Sequence, residues 1–147
     1  MPLAQVVNDG LFGETEVSRV IKFRAWDRFY KVIFIPLYFN FDYGLKVGHR
    51  PFLQDPPHFL KVPEEAELMQ FTGLHDKNKK EICENDIIKS ERTGNNYLVA
   101  WEKDKACFML WFKNFDETPY NFLHNECNGL VQSEVLGNIH EHPELLK

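Results

Sequence analysis

The sequence predicts a mainly β fold: a small barrel, an additional β-rich segment before it and a short helical tail after it. Three observations predict this. Thirteen Phe, five Tyr and three Trp make up 14% of the 147 residues, and aromatic side chains favour the pleated, half-buried surface of strands. Short apolar runs alternate with polar turn clusters through the second half, which suits a small barrel better than a βαβ sheet. No stretch sustains the 3.6-residue period of an amphipathic helix.

The elements follow in order. Residues 1–20 carry two Gly and little periodicity and read as an arm that packing must order. Ile21–Ala25 alternates apolar and basic residues, the pattern of a half-buried strand. Asp27 and Arg28 turn the chain, Lys31–Ile35 returns it, and Tyr38–Asp42 resumes extended structure after Pro36. Gly44–Pro63 holds two Gly and four Pro and reads as loop, with a strand at His58–Val62 at most. Glu64–Glu67 reads as one helical turn, with Pro63 near its start and acids at its positive end. Strands are then expected at Leu68–Leu74, Asp86–Glu91, Tyr97–Glu102, Ala106–Phe112 and Glu134–His140. Turns are expected at Asp76–Lys79, Thr93–Asn96 and Lys103–Lys105, and Pro143–Leu146 as the helical tail. The domain spans 21–147, divided into a β segment with its Pro-rich loop (21–63) and a barrel portion (64–147).

Ala106–Phe112 is apolar on both faces, which a strand covered on one side does not need. Either the N-terminal half or a second subunit covers its outer face. Phe108, Leu110 and Phe112 are assigned to one buried face, with Cys107, Met109 and Trp111 on the other.

Composition bounds the function. With 17 basic and 22 acidic residues the net charge is −5, which argues against a wholly basic nucleic-acid binder. No apolar run reaches the ~18 residues that span a bilayer, and no membrane role is expected. Three cysteines, an odd number without a CxxC pair, argue for free thiols in a reducing compartment.

Tests for chemistry come back empty. His140 with His142, and His124 with Cys127, lack the second half of a metal site. No GxSxG, GxxxxGK[ST] or GxGxxG occurs. No Lys or Gln follows an acid by two residues, as a common metal-nuclease arrangement would require. Asp76–Arg92 holds five acids and five bases, a mutually screened surface. No catalytic residue, metal or cofactor is assigned.

One charge asymmetry stands out. Val17–Ile35 carries a net +4, whereas Asn114–Lys147 carries −5. Lys22, Arg24 and Trp26 share a strand face that can track a phosphate backbone and stack a base. That face is otherwise solvated or paired with the acidic C-terminal half. Lys22, Arg24, Trp26, Met109 and Trp111 are therefore the candidate interaction residues.

Three segments together resemble the YopX family of bacteriophage and prophage proteins. They are Lys22–Asp27, Leu68–Asp76 with Glu81–Lys89, and Val135–Leu146. The resemblance implies an SH3-like β-barrel, a cytoplasmic life in a phage-carrying host and no established biochemical function, hence no family site residues to carry over. The family pattern has Gly at the positions of Lys79 and Asn85, and Tyr at that of Cys83. Asn tolerates a left-handed turn, so Asn85 is expected to keep its turn and Lys79 to change its turn type. Residues 1–20 have no counterpart in the family's short start.

The resulting expectation is a phage-encoded, non-enzymatic accessory or regulatory protein of the host cytoplasm. It acts through protein contacts, with a phage or host protein as partner and self-association alongside. Tight nucleic-acid binding is not expected. The alternatives are a nucleic-acid accessory protein using the basic strand and an enzyme with an unrecognised site.

Overall fold

The computed structural model describes residues 20–42, 44–49, 58–112, 119–127 and 132–147. The expected arm lies outside them except for Val20. Twelve strands in three antiparallel sheets make up the described architecture. β1 (Phe23–Asp27), β2 (Val32–Phe34), β6 (Ala66–His75) and β7 (Glu81–Cys83) form a four-stranded sheet in the order β2-β1-β6-β7. β3 (Phe39–Asn40), β4 (Lys46–His49) and β5 (His58–Lys61) form a three-stranded sheet. β8 (Asp86–Ser90), β9 (Asn96–Glu102), β10 (Cys107–Trp111), β11 (Asn121–Phe122) and β12 (Ser133–Asn138) form the third, in the order β11-β10-β9-β8-β12. This last sheet is a half-barrel whose outer strands are edges.

Two apolar clusters follow from these pairings. Ala25, Phe34 and Ala66 of the four-stranded sheet pack with Val47 and Leu60 of the three-stranded sheet. Ile82, Ile88, Tyr97, Val99, Leu110, Leu123 and Val135 form the core lined by the half-barrel. In β10, Leu110 is fully buried and Met109 is 2% exposed. Since neighbours point to opposite faces, the centre of this strand is covered on both sides, as its uninterrupted apolar run predicts. Phe112 departs from that pattern: it follows the strand's end and is half exposed.

Buried carboxylates tie the turns to the strands. Asp27 Oδ1 accepts the backbone N–H groups of Phe29 and Tyr30, closing the β1–β2 turn. Asp76 Oδ1 accepts those of Asn78 and Lys80, and its Oδ2 accepts Val135 N–H of β12. Glu126 accepts from Ser90 Oγ at 2.6 Å and Asn121 Nδ2 at 3.0 Å. Each buried acid finds donors for its own oxygens in this way.

Four expectations are corrected. Gly44–Pro63 contains a strand, β4, besides β5. Its Gly48 is required because a Cβ there would lie 2.8 Å from Tyr38 Cδ2. Glu64–Glu67 is not a helical turn: Ala66 already begins β6, and Lys61 and Glu65 close the turn before it, Lys61 N–H donating to Glu65 Oε2 and Glu65 N–H to Lys61 O. The C-terminal helical tail is a single 3-10 turn over Pro143–Leu146. Its bonds run from Leu145 N–H to His142 O and from Lys147 N–H to Glu144 O, the i→i+3 spacing of 3-10 geometry. Finally, Lys79 does not change its turn type: it sits at φ 65°, as does Asn85, because Asp76 grips the residues on either side of it.

Candidate functional site

The five candidate residues do not form one surface. Lys22, half exposed, pairs with Glu81 and lies 5.4 Å over the Phe71 ring. Arg24 is largely buried, its Nη2 2.5 Å from Asp86 Oδ1 and 3.2 Å from Glu84 O, while its Nε is buried without an acceptor. Trp26 is 6% exposed and stacks on His140 with ring centroids 5.0 Å apart. Met109 is in the core, and Trp111 is half buried beside it in β10. Trp26 and Met109 therefore offer no contact surface, a correction that follows from β1 and β10 being covered on both faces. The basic strand pairs neither with water alone nor with the C-terminal half. It is answered by Glu81 and Asp86, from the segment that sequence alone suggested was self-screened.

Polar clusters elsewhere are spent on the fold. Asp27 Oδ2 lies 3.0 Å from His49 Nδ1, which must carry the proton for that bond, and His49 stacks on Phe34 with centroids 3.8 Å apart. The other oxygen of Asp27 closes a turn, and Asp27 borders a groove of about 530 Å³ with Arg28, Tyr30, His58 and Leu60. Glu67 accepts from Arg28 Nη2 and Asn85 Nδ2, with His140 Nε2 3.6 Å away. Burial holds the His140 pKa below its ordinary 6.5, so the ring is neutral at pH 7. Burial pushes the Cys83 thiol up to about 11, against the opposing pull of Arg24, and also raises Cys127. A thiol is a poor nucleophile under those conditions. Among the described residues no three His, Cys, Asp or Glu side chains are grouped to hold a metal.

What remains is concave and apolar. A groove of about 520 Å³ opens where β1 begins. Phe23 and Phe39 meet edge-on at 5.7 Å, and Ile21, Ile35, Pro36, Phe71 and Cys83 complete the apolar lining. Lys22, Arg24, Lys80 and Glu81 contribute its charged groups. The volume lies within the usual range of ligand pockets, roughly 300–1,000 Å³. The segment that supplies Ile35 and Phe39 carries further exposed apolar side chains. Ile35 is 71% exposed and Phe41 72%, with Leu37 and Tyr38 about half exposed between them.

Of the residues that line the groove, Lys22 and Arg24 are ones the sequence singles out. Phe39, Phe71 and Lys80 are not, because their proximity depends on how β1, β3 and β6 are arranged. The available hint was an aromatic content larger than two small cores use.

The YopX protein family model matches residues 22–147. The crystal structure of protein EF1440 from Enterococcus faecalis is similar, with a TM-score of 0.54 and 26% identity over 88% of this chain and 100% of that one. No curated protein matches.

Proposed function

The chain belongs to the YopX family, and from that premise we propose a non-enzymatic binding protein that acts through protein–protein contacts. The observation that carries this reading is the apolar strip from Ile35 to Phe41. Five of its seven residues are apolar side chains at least 42% exposed, and apolar exposure concentrated in one segment supports an interaction site, whereas a single exposed apolar residue needs no explanation. We extend the proposal to a phage-encoded accessory or regulatory role in the host cytoplasm, with self-association alongside. The half-barrel is read as an SH3-like barrel, an architecture that suits adaptors only by fold-level analogy. The nucleic-acid alternative gains no support, because Lys22 and Arg24 face carboxylates of this chain.

The test places a photo-crosslinking amino acid at Phe41, and separately at Lys103 in the β9–β10 turn, in the full chain expressed in bacterial cells. A discrete adduct at position 41 but not at 103, identified by mass spectrometry, is the expected result. A self-adduct there assigns the strip to self-association. No adduct at 41, or equal labelling at both sites, refutes the reading.

A further inference from the structure

We infer that the groove beside β1 receives an apolar side chain from an acidic segment of a partner polypeptide. This rests on the protein-contact reading above and gives that contact a site and a chemistry.

The first argument is shape and lining. Phe23, Phe39, Phe71 and Ile35 make an apolar cavity of about 520 Å³, enough for a large anchoring side chain and its neighbours. Such filled pockets carry most of the affinity in protein interfaces.

The second is continuity. Ile35 and Phe39 line the groove, and Leu37, Tyr38 and Phe41 of the same segment are exposed beside them in the chain. A small molecule filling the groove would leave that strip in water. A polypeptide covers both.

The third is charge. Lys22, Arg24 and Lys80 contribute three cations to the groove and Glu81 one carboxylate. Glu81 answers Lys22, and Asp86 answers Arg24 from behind. Lys80 is exposed and forms no ion pair within 4.0 Å among the described residues. The protein as a whole is acidic, at −5, so a locally basic groove is a discriminating feature. It favours carboxylates through Lys80, and like charges directly opposed at an interface suppress wrong partners. The Lys22–Glu81 pair is surface-exposed and exchanges its carboxylate at little cost.

The experiment is an amide NMR titration of the full chain with three blocked tetrapeptides: Glu-Phe-Glu-Leu, Lys-Phe-Lys-Leu and Glu-Ser-Glu-Ser. The expected result is saturable shifts at Phe23, Ile35, Phe39 and Phe71 with the first peptide alone, at submillimolar affinity. Raised salt weakens it. Lys80→Glu, whose side chain is exposed, weakens binding at least five-fold, while Lys103→Glu, the same charge change elsewhere, leaves it unchanged. Preserved chemical-shift dispersion shows that both variants fold. Equal binding of the basic peptide, shifts confined to other surfaces, no saturable binding, or an unaffected Lys80→Glu variant would overturn the inference. If position 41 captures a partner whose yield Lys80→Glu does not change, the protein-contact reading stands and the groove assignment falls.

Discussion

Replacing Asp76 tests how the two halves of the molecule are joined. Its carboxylate accepts three backbone N–H groups: Asn78 and Lys80 at 2.8 and 2.9 Å, and Val135 at 3.0 Å. The first two lie in the exposed β6–β7 turn and can rehydrate when the acceptor is removed. Each then costs about the net value of an ordinary hydrogen bond, roughly 0.5–1.5 kcal/mol. Val135 N–H belongs to a buried residue of the half-barrel, and orphaning it costs about 1–3 kcal/mol. Asp76→Ala should therefore lose about 2–6 kcal/mol, equivalent to a fall in Tm of roughly 10 °C in a chain of this size. Asp76→Asn keeps one acceptor but turns an NH₂ towards donors, and should lose about 1–3 kcal/mol. The carboxyl also has a pH signature. Burial alone would raise its pKa, but the three backbone donors outweigh burial and hold it below its ordinary 3.8. The stabilisation is then complete above the unfolded value, near pH 4, and is lost as pH falls through the lower folded value. Urea unfolding from pH 2 to 7 supplies the assay, with the wild-type minus Asp76→Asn difference isolating this group. That difference should be constant above pH 5 and shrink below pH 4. A loss under 1 kcal/mol for Asp76→Ala, or a difference that does not change with pH, would refute the reasoning.

Lys79→Gly should stabilise the protein by about 0.5–1 kcal/mol in the same assay, because Lys79 is held at φ 65°, where a Cβ is penalised. Arg24→Glu should destabilise by about 3–5 kcal/mol, since it leaves Asp86 buried without its cation and adds a like charge. Lys22→Glu should cost under 1 kcal/mol at its exposed pair, and calorimetry of the two single variants separates them. Gly137→Ala should lower Tm, because a Cβ would lie 2.6 Å from His142 Nδ1. Cys83, with its pKa near 11, should react with a thiol reagent at pH 8 far more slowly in the native than in the denatured protein. Intact mass after denaturing, non-reducing alkylation should count three free thiols, and a disulfide-linked mass would contradict that.

Sequence alone located the strands whose local pattern was strong. β6, β8, β9, β10 and β12 lie within a few residues of their expected positions because alternation and flanking turns agree there. β1 begins two residues later than expected, at Phe23. β4 was missed because its only apolar side chain is Val47, and it exists through pairing with β3 and β5 rather than propensity. β7 was missed for the same reason: three residues in an acidic run become a strand by pairing with β6. The site was harder to read. Arg24 looked like a presented charge because Asp86 is 62 residues away in the chain. A periodicity argument identifies which side chains share a face but not what lies opposite that face. Lys79 shows the complementary failure: its propensity disfavours the left-handed turn, and a distant strand enforces it through Asp76.

The ends of the half-barrel bear on how copies of this protein can meet. β11 is only two residues long, Asn121–Phe122. β12 breaks register between Val135 and Gly137, and the β6–β7 turn lies against it, with Lys77 N–H donating to Ser133 O and Val135 N–H to Asp76 Oδ2. A short terminus on one side and a bulged, overlaid strand on the other are poor templates for an added strand. The β6–β7 turn thus acts as an edge guard, occupying backbone groups that an added strand would need. Contacts that this sheet can make are then made by side chains rather than by its backbone. A protein with this much exposed aromatic surface gains from that separation, because stickiness on a face makes a defined complex, whereas stickiness along a strand edge makes an aggregate.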